Sequence, residues 1–161
     1  MASPKQALLS ELRTRLGDEI ATMRRLATDA AEAVGHEDNR PESDKDMRST
    51  EASYIARGQA ARVLDLERDL NLLGAISGRD LGPDDPIGSG ALVRVEQQGK
   101  PATYLLVPAA GGVRLSAGGI EAQTLSIRSP LGAALLGLRE GDEAELASPQ
   151  GPRLVEIIEV R

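Results

Sequence analysis

One segment of the chain, residues 125–142, joins a strand, a turn and a short apolar helix in a fixed order, and it constrains the fold more than any other part. Leu125 and Ile127 alternate with polar residues, as they would in a half-buried strand. Ser129 can cap a helix, and Pro130 suits the first helical position. Four apolar residues then recur at helical spacing: Leu131, Ala134, Leu135 and Leu138. The segment therefore predicts a strand that passes through a capped joint into one short helix.

Two long helical patterns occupy the first half of the chain. Between residues 4 and 34, apolar residues step forward by threes and fours, which is typical of a helix with one narrow apolar seam. A second pattern of this kind covers residues 50–73, although Gly58 inside it costs about 1 kcal/mol relative to Ala. The polar segment 35–49 between them contains Pro41 and reads as a loop. Together they predict an antiparallel coiled-coil hairpin.

The second half of the chain has the pattern of a small antiparallel β-domain. Glycine and proline are concentrated before residue 91, and five short runs of β type follow. The five predicted strands are residues 91–97, 102–107, 123–127, 143–147 and 154–160. The fold class is therefore α+β, with three predicted parts. These are a hairpin over residues 1–75 with an acidic tip near 35–50, a linker over 76–90, and a β-domain with one short helix over 91–161.

The composition narrows the functional classes. A formal net charge of -6 opposes direct binding to nucleic acid, because neutralising phosphates needs clustered Lys and Arg. The chain has no Trp, no Phe and two Tyr, so it lacks aromatic platforms on which bases could stack. It also has no Cys and one His, which leaves almost nothing for a zinc site or a Ser-His-Asp hydrolase. We therefore expect contact with nucleic acid only indirectly, through a protein partner.

The chain also lacks the patterns of targeting and membrane segments. Charged residues interrupt the N-terminal region too often for a signal peptide. No apolar run approaches the ~20 residues that a membrane helix needs. The expectation is a cytoplasmic protein that does not enter the membrane.

The segment SPLGAALLG, which begins at Ser129, resembles a motif of the GreA/GreB transcript-cleavage factors. In that family SP-(I/L/M)-(A/G)-x-(A/G)-L-(I/L)-(G/K) precedes a Gly-Asp turn and two closing strands in an FKBP-like C-terminal domain, and a coiled-coil hairpin comes first. The resemblance implies that the partner is bacterial RNA polymerase, bound at the rim of its secondary channel. The family often has an acidic residue before the Ser-Pro pair, whereas this chain has Arg128. The implied docking residues are Ser126, Ser129 and Pro130, with Leu131 and Leu135 nearby.

The predicted hairpin tip is rich in carboxylates. Six lie between residues 37 and 51, and oxygen ligands of this type suit a hard divalent ion such as Mg²⁺, although such runs are also common in solvated loops. In the Gre factors the tip enters the secondary channel and offers two acids to the second catalytic Mg²⁺. The resemblance therefore implies a Mg²⁺ shared with the polymerase and no metal held by the free protein. The candidate tip acids are Glu42, Asp44 and Asp46.

The tip departs from the family motif. Where the family has D-L-x-E-N-A-E-Y, with the two acids three positions apart, this chain has DMRSTEASY ending at Tyr54. If Tyr54 is aligned with the family tyrosine, Met47 and Thr50 stand at the acid positions. If the later Arg62-Val63-x-Asp65 stretch is aligned instead, the positions fall on Glu42 and Lys45. Neither alignment supplies both acids.

Three functions remain open at this point. The resemblance favours a Gre-like elongation factor that is not itself an enzyme, binds RNA polymerase, inserts its acidic tip and, if the tip acids suffice, stimulates cleavage of backtracked RNA. The alternative is a regulator that binds the polymerase without cleavage, similar to Rnk or acting by blocking the channel. A third interpretation, an FKBP-type isomerase, is opposed by the near absence of aromatic residues, since such a pocket is lined with them.

Overall fold

The computed structural model describes the backbone of residues 2–36 and 42–161, with side chains over 2–32 and 50–161. The described elements are α1 (Pro4–His36), α2 (Glu42–Gly74), β1 (Leu92–Gln97), β2 (Lys100–Val107), β3 (Arg114–Ala117), β4 (Ile120–Ser126), α3 (Pro130–Leu135), β5 (Glu143–Leu146) and β6 (Arg153–Val160). They form two compact units, one of Met1–Arg13 with Leu72–Arg161 and one of Thr14–Asn71. The predicted combination of a helical hairpin and a sheet with one short helix is confirmed.

The hairpin unit follows the two apolar seams read from the sequence. Leu16 and Ile20 on α1 and Leu66 on α2 are buried, and most other seam residues are half-buried. The predicted loop over residues 35–49 is wrong at both ends, because α1 continues to His36 and α2 already begins at Glu42. Apart from Met47, residues 42–49 are polar and have no apolar period, yet they contain no Gly or Pro that would stop a helix. The remaining tip residues, 37–41, lie outside the described part of the chain.

The sheet is mixed and has six strands in the order β3-β4-β2-β1-β6-β5. The prediction of an antiparallel sheet holds for every adjacent pair except β2 and β4, which are parallel. The prediction also missed β3, an edge strand of four residues between two glycine turns. Only Leu115 in β3 is buried, so the strand shows too little alternation to be recognised in the sequence.

One face of the sheet packs against α3. Its core consists of Ile87, Ala91, Val93, Val95, Leu106, Leu135, Ala144, Val155, Ile157 and Val160. All of these residues except Ile87 lie on a strand, on α3 or at the start of β1. The core is wholly aliphatic, as the composition requires.

The first residues of α1 belong to the same unit as the sheet. The Lys5 ammonium is buried and donates to the Arg161 carbonyl over 3.2 Å, and a Glu11 carboxylate accepts from the Ser116 amide over 2.9 Å. Gly118 has a φ of 61°, and a Cβ there would lie 2.7 Å from the Pro4 Cα. Residues 1–13 therefore group with the sheet, whereas the sequence assigned them to the hairpin over residues 1–75.

The segment predicted as a linker, residues 76–90, packs on the sheet unit. Ile87 is 2% exposed and lies in the core. Its amide donates to the Leu138 carbonyl and its carbonyl accepts from the Gly137 amide, both over 2.8 Å. The Arg139 guanidinium donates to the Asp84 carbonyl over 2.8 Å. This segment thus holds the turn that follows α3.

Candidate functional site

A hydrogen-bonded joint links β4 to α3. The Ser126 carbonyl accepts from the Ser129 amide over 3.0 Å and from the Ser129 hydroxyl over 2.7 Å. The same hydroxyl accepts from the Gly132 amide over 3.0 Å, which makes Ser129 the N-cap that the sequence predicted. Pro130 follows at the first helical turn, where its missing N–H costs nothing. Four bonded groups therefore hold the joint in one conformation.

The close approach of α3 to β4 depends on Gly132. This residue is buried, and a Cβ placed on it would overlap the Ser126 carbonyl oxygen and lie 2.9 Å from the carbonyl carbon. The Ser129 Oγ would be 3.0 Å away. Two of these three atoms are backbone, so they cannot rotate aside. The joint can keep this geometry only with glycine at position 132.

The outward side of the joint presents small and apolar groups. Pro130 and Ala133 are exposed, and Leu136, directly after α3, is 39% exposed. Gly137 then adopts a φ of 82° and turns the chain back towards Ile87. We call this patch the β4–α3 surface. It consists of Ser126, Arg128, Ser129, Pro130, Ala133 and Leu136.

Not every implied docking residue lies on this surface. Ser126 and Ser129 are half-buried and hold the joint, and Pro130 is exposed. Leu135 is fully buried in the core and Leu131 is half-buried against it, so Leu135 has no atom to offer a partner. The sequence interpretation did not single out Leu136. Its signal was present, because it falls outside the apolar face formed by Leu131, Leu135 and Leu138.

The surface carries one charge of its own. The Arg128 side chain is exposed and makes no ion pair among the residues whose side chains are described. Its amide donates to the Ser126 Oγ over 3.2 Å, so the backbone at this position is also fixed. A partner that binds this surface would therefore contact a rigid apolar patch next to a single cation.

The candidate tip acids can be placed only by their backbone. Glu42, Asp44 and Asp46 fall in the first turns of α2, and their side chains lie outside the described part of the structure. A helix turns 100° per residue, so positions 42 and 46 fall on one side of α2 and position 44 on the other. Across the side chains that are described, no group of three or more His, Asp or Glu residues could hold a metal. In the same part of the chain no helix has the length and apolar character of a membrane span.

Comparison with known proteins gives matches over most of the chain. The sequence model described as transcription elongation factor, GreA/GreB, C-terminal domain matches residues 82–161. Over 153 residues the chain is 31% identical to transcription elongation factor GreA of Cereibacter sphaeroides, covering 92% of this chain and 95% of that protein. It is also 31% identical over 133 residues to GreA of Ralstonia nicotianae, covering 81% of this chain and 78% of that protein. Among solved structures, GreA factor homolog 1 of Thermus thermophilus covers 92% of this chain and 94% of its own at 24% identity and a TM-score of 0.38.

Proposed function

The chain belongs to the GreA/GreB family of transcription elongation factors, and from this we propose that it binds bacterial RNA polymerase through the β4–α3 surface and places its acidic hairpin tip in the secondary channel. In this role it has no catalytic site of its own. It acts on the chemistry of the polymerase, and any Mg²⁺ at the tip is shared with that enzyme.

The β4–α3 surface is the observation that carries the proposal. Pro130, Ala133 and Leu136 supply exposed apolar contact area, and apolar groups held in one position bind a partner with little loss of conformational freedom. The Ser129 cap and Gly132 hold the joint beneath them. These contact residues are therefore already held in position in the free protein. Ser126 and Ser129 serve as positioning residues, and Pro130 and Leu136 as the contacts.

The consequence of docking depends on the tip. If Glu42 and Asp46, one helical turn apart, reach the second Mg²⁺ of the polymerase, the factor stimulates cleavage of backtracked RNA. A second candidate function, occupancy of the channel without cleavage, is favoured by one specific observation. In the alignment on Tyr54, Met47 and Thr50 stand where the family motif has its two acids.

Docking is tested by a pair of variants that each add one carboxylate to an exposed site of the sheet unit. Leu136→Glu places a charge in the proposed apolar contact, and Ala75→Glu places it on an exposed alanine directly after α2. We expect Leu136→Glu to weaken binding to the core polymerase at least tenfold and Ala75→Glu to change it less than twofold, measured by fluorescence anisotropy of the labelled factor. Equal affinities for both variants would refute docking through this surface.

The two outcomes of docking are separated with stalled, backtracked elongation complexes. Wild type, Glu42→Gln with Asp46→Asn, and Asp44→Asn are compared for release of short 3′ RNA fragments over a range of Mg²⁺ concentrations. Loss of stimulation in the double variant alone supports the cleavage function with Glu42 and Asp46 acting together. If wild type releases no fragments above background while it still slows nucleotide addition, the channel-occupancy function replaces the cleavage function.

A further inference from the structure

A groove lies at the far end of the sheet from α3, between the β1–β2 turn and the start of β6. Its volume is about 500 Å³. The residues that define it here are Lys100, Pro101, Ala102, Tyr104, Arg153 and Leu154. Leu154 is 58% exposed, and Ala102 and Tyr104 pack partly against the core. The groove thus combines the apolar surface of Ala102 and Tyr104 with the amides of Gln97 and Gln98, and its two charged residues are both cations.

Strand register shows that the two cations share one face of the sheet. Residues alternate faces along a strand, and Ala102 and Tyr104 on β2 and Val155 on β6 point to the side of the α3 core. Lys100 and Arg153 have the same parity as these residues, so they lie on that face too. The order β2-β1-β6 puts β1 between them, which separates their strands by about 10 Å.

The charges of the two sheet faces are segregated at this end. Four carboxylates of β1, β5 and β6 have the opposite parity and lie on the other face: Glu96, Glu143, Glu145 and Glu156. On the groove side, Glu121 is the carboxylate that β4 contributes next to Ala102. Neither Lys100 nor Arg153 makes an ion pair among the described side chains. In a chain of net charge -6, this is a local excess of positive charge beside apolar surface.

We propose that this groove binds an extended acidic peptide segment of a protein partner. Two carboxylates on the same side of an extended chain are an even number of residues apart, and four residues span about 13 Å. Lys100 pairs with Gln97 on β1, and Arg153 lies one strand further on and two residues along β6, a separation of about 12 Å that this spacing matches. An apolar side chain between them rests on Ala102 and Tyr104, which lie on the same face as the two cations. The small number of cations favours a peptide over a nucleic acid, which needs more phosphate contacts. The site is separate from the β4–α3 surface and does not depend on docking there.

The experiment is an NMR titration of the ¹⁵N-labelled full chain with the capped peptide acetyl-Glu-Ser-Leu-Ser-Glu-amide, in which both carboxylates and the Leu side chain lie on one side of the extended chain. We expect shift changes centred on the amides of residues 97–100, 102–104 and 153–154, saturating in the millimolar range. The matched peptide with Gln at both ends is expected to bind at least fivefold more weakly. Shifts of equal size with both peptides, or shifts centred elsewhere on the chain, would overturn the proposal.

Variants test whether the two cations hold the peptide. Lys100→Glu with Arg153→Glu should abolish the shifts, whereas Arg94→Glu, an exposed cation on the opposite face, should leave them unchanged. Leu154→Ser, at an exposed site that pairs with Glu145 on the opposite face, should also leave the shifts unchanged. A single-stranded hexanucleotide that shifts the same amides more strongly than the peptide would replace the acidic peptide with nucleic acid and refute the assignment.

Discussion

The sheet unit and the hairpin unit differ in how completely their apolar side chains are buried. The sheet unit has a fully buried aliphatic core and a joint in which a single added methyl group finds no space. Among its described side chains the hairpin unit buries Leu16, Ile20 and Leu66, and its ion pairs Arg24–Glu67 and Glu19–Arg62 are exposed. The difference suits the two proposed roles. A docking surface benefits from a fixed shape, whereas the helix pair needs only one narrow seam to stay folded.

The largest expected effect is truncation of the two cores. Leu106→Ala removes a fully buried side chain of the sheet core, and we expect a loss of about 2–5 kcal/mol in unfolding free energy. Leu66→Ala should act mainly on the hairpin, since its seam has few other buried residues. Hydrogen exchange measured by mass spectrometry distinguishes the two. If Leu66→Ala lowers protection in β1 and β6 as much as in α2, the two units are not packed independently.

The same glycine substitution should have opposite signs in the two units. Gly132→Ala forces the joint backbone apart and should cost about 1–3 kcal/mol by overpacking. Gly58→Ala meets nothing within 4 Å on an exposed helix and should stabilise α2 by about 0.5–1 kcal/mol. Urea unfolding followed by circular dichroism measures both changes. A stabilising Gly132→Ala would show that the joint is looser than its contacts indicate.

A pH-dependent difference is expected at Lys5, where α1 enters the sheet unit. Burial lowers the pKa of the Lys5 ammonium below its ordinary value of 10.5; Asp80 opposes the shift, and Arg79 adds to it. Between the lowered pKa and 10.5 the unfolded chain binds more protons than the folded one, so stability rises with pH in that window. Lys5→Met removes this dependence. The urea midpoint of wild type should rise relative to that of Lys5→Met as pH rises towards 10.5, and parallel curves would contradict the prediction.

The smallest effect is expected for the exposed ion pair Arg24–Glu67 on the hairpin. Exposed pairs contribute about 0.2–1 kcal/mol and are screened by salt. A double-mutant cycle with Arg24→Ala and Glu67→Ala should give a coupling energy in that range at low salt and a smaller one in 0.5 M NaCl. A coupling energy above 2 kcal/mol that does not change with salt would mean that this pair, and not the seam, holds the helices together.

Local patterns in the sequence were sufficient for the elements and for the joint. The seams of α1 and α2, most strands and the Ser129 cap with Pro130 depend on contacts between residues close in the chain, and all of them appear as predicted. The start of α2 at residue 42 was missed because the first residues of this helix lack the apolar periodicity from which the helices were predicted. The strand β3 was missed because an edge strand buries only one residue.

For the candidate site, the sequence located the segment and the tertiary structure selected its exposed residues. The family motif pointed to Leu131 and Leu135, yet Leu135 is buried in the sheet core and Leu136 is exposed. Spacing alone separates Leu136 from the apolar face formed by Leu131, Leu135 and Leu138, but how completely each side chain of that face is covered depends on strands that are distant in the sequence.

The sequence by itself determined the family, the order of hairpin and sheet, and the capped joint. These features follow from short-range periodicity and from the SPLGAALLG motif, both of which involve residues close together in the chain. Only the tertiary structure decided the parallel pairing of β2 with β4, the attachment of residues 1–13 to the sheet unit, and the groove that brings Lys100 and Arg153 onto one face. The physical reason is sequence separation. These contacts join residues far apart in the chain, where the free energy comes from burial and register that only the assembled sheet provides.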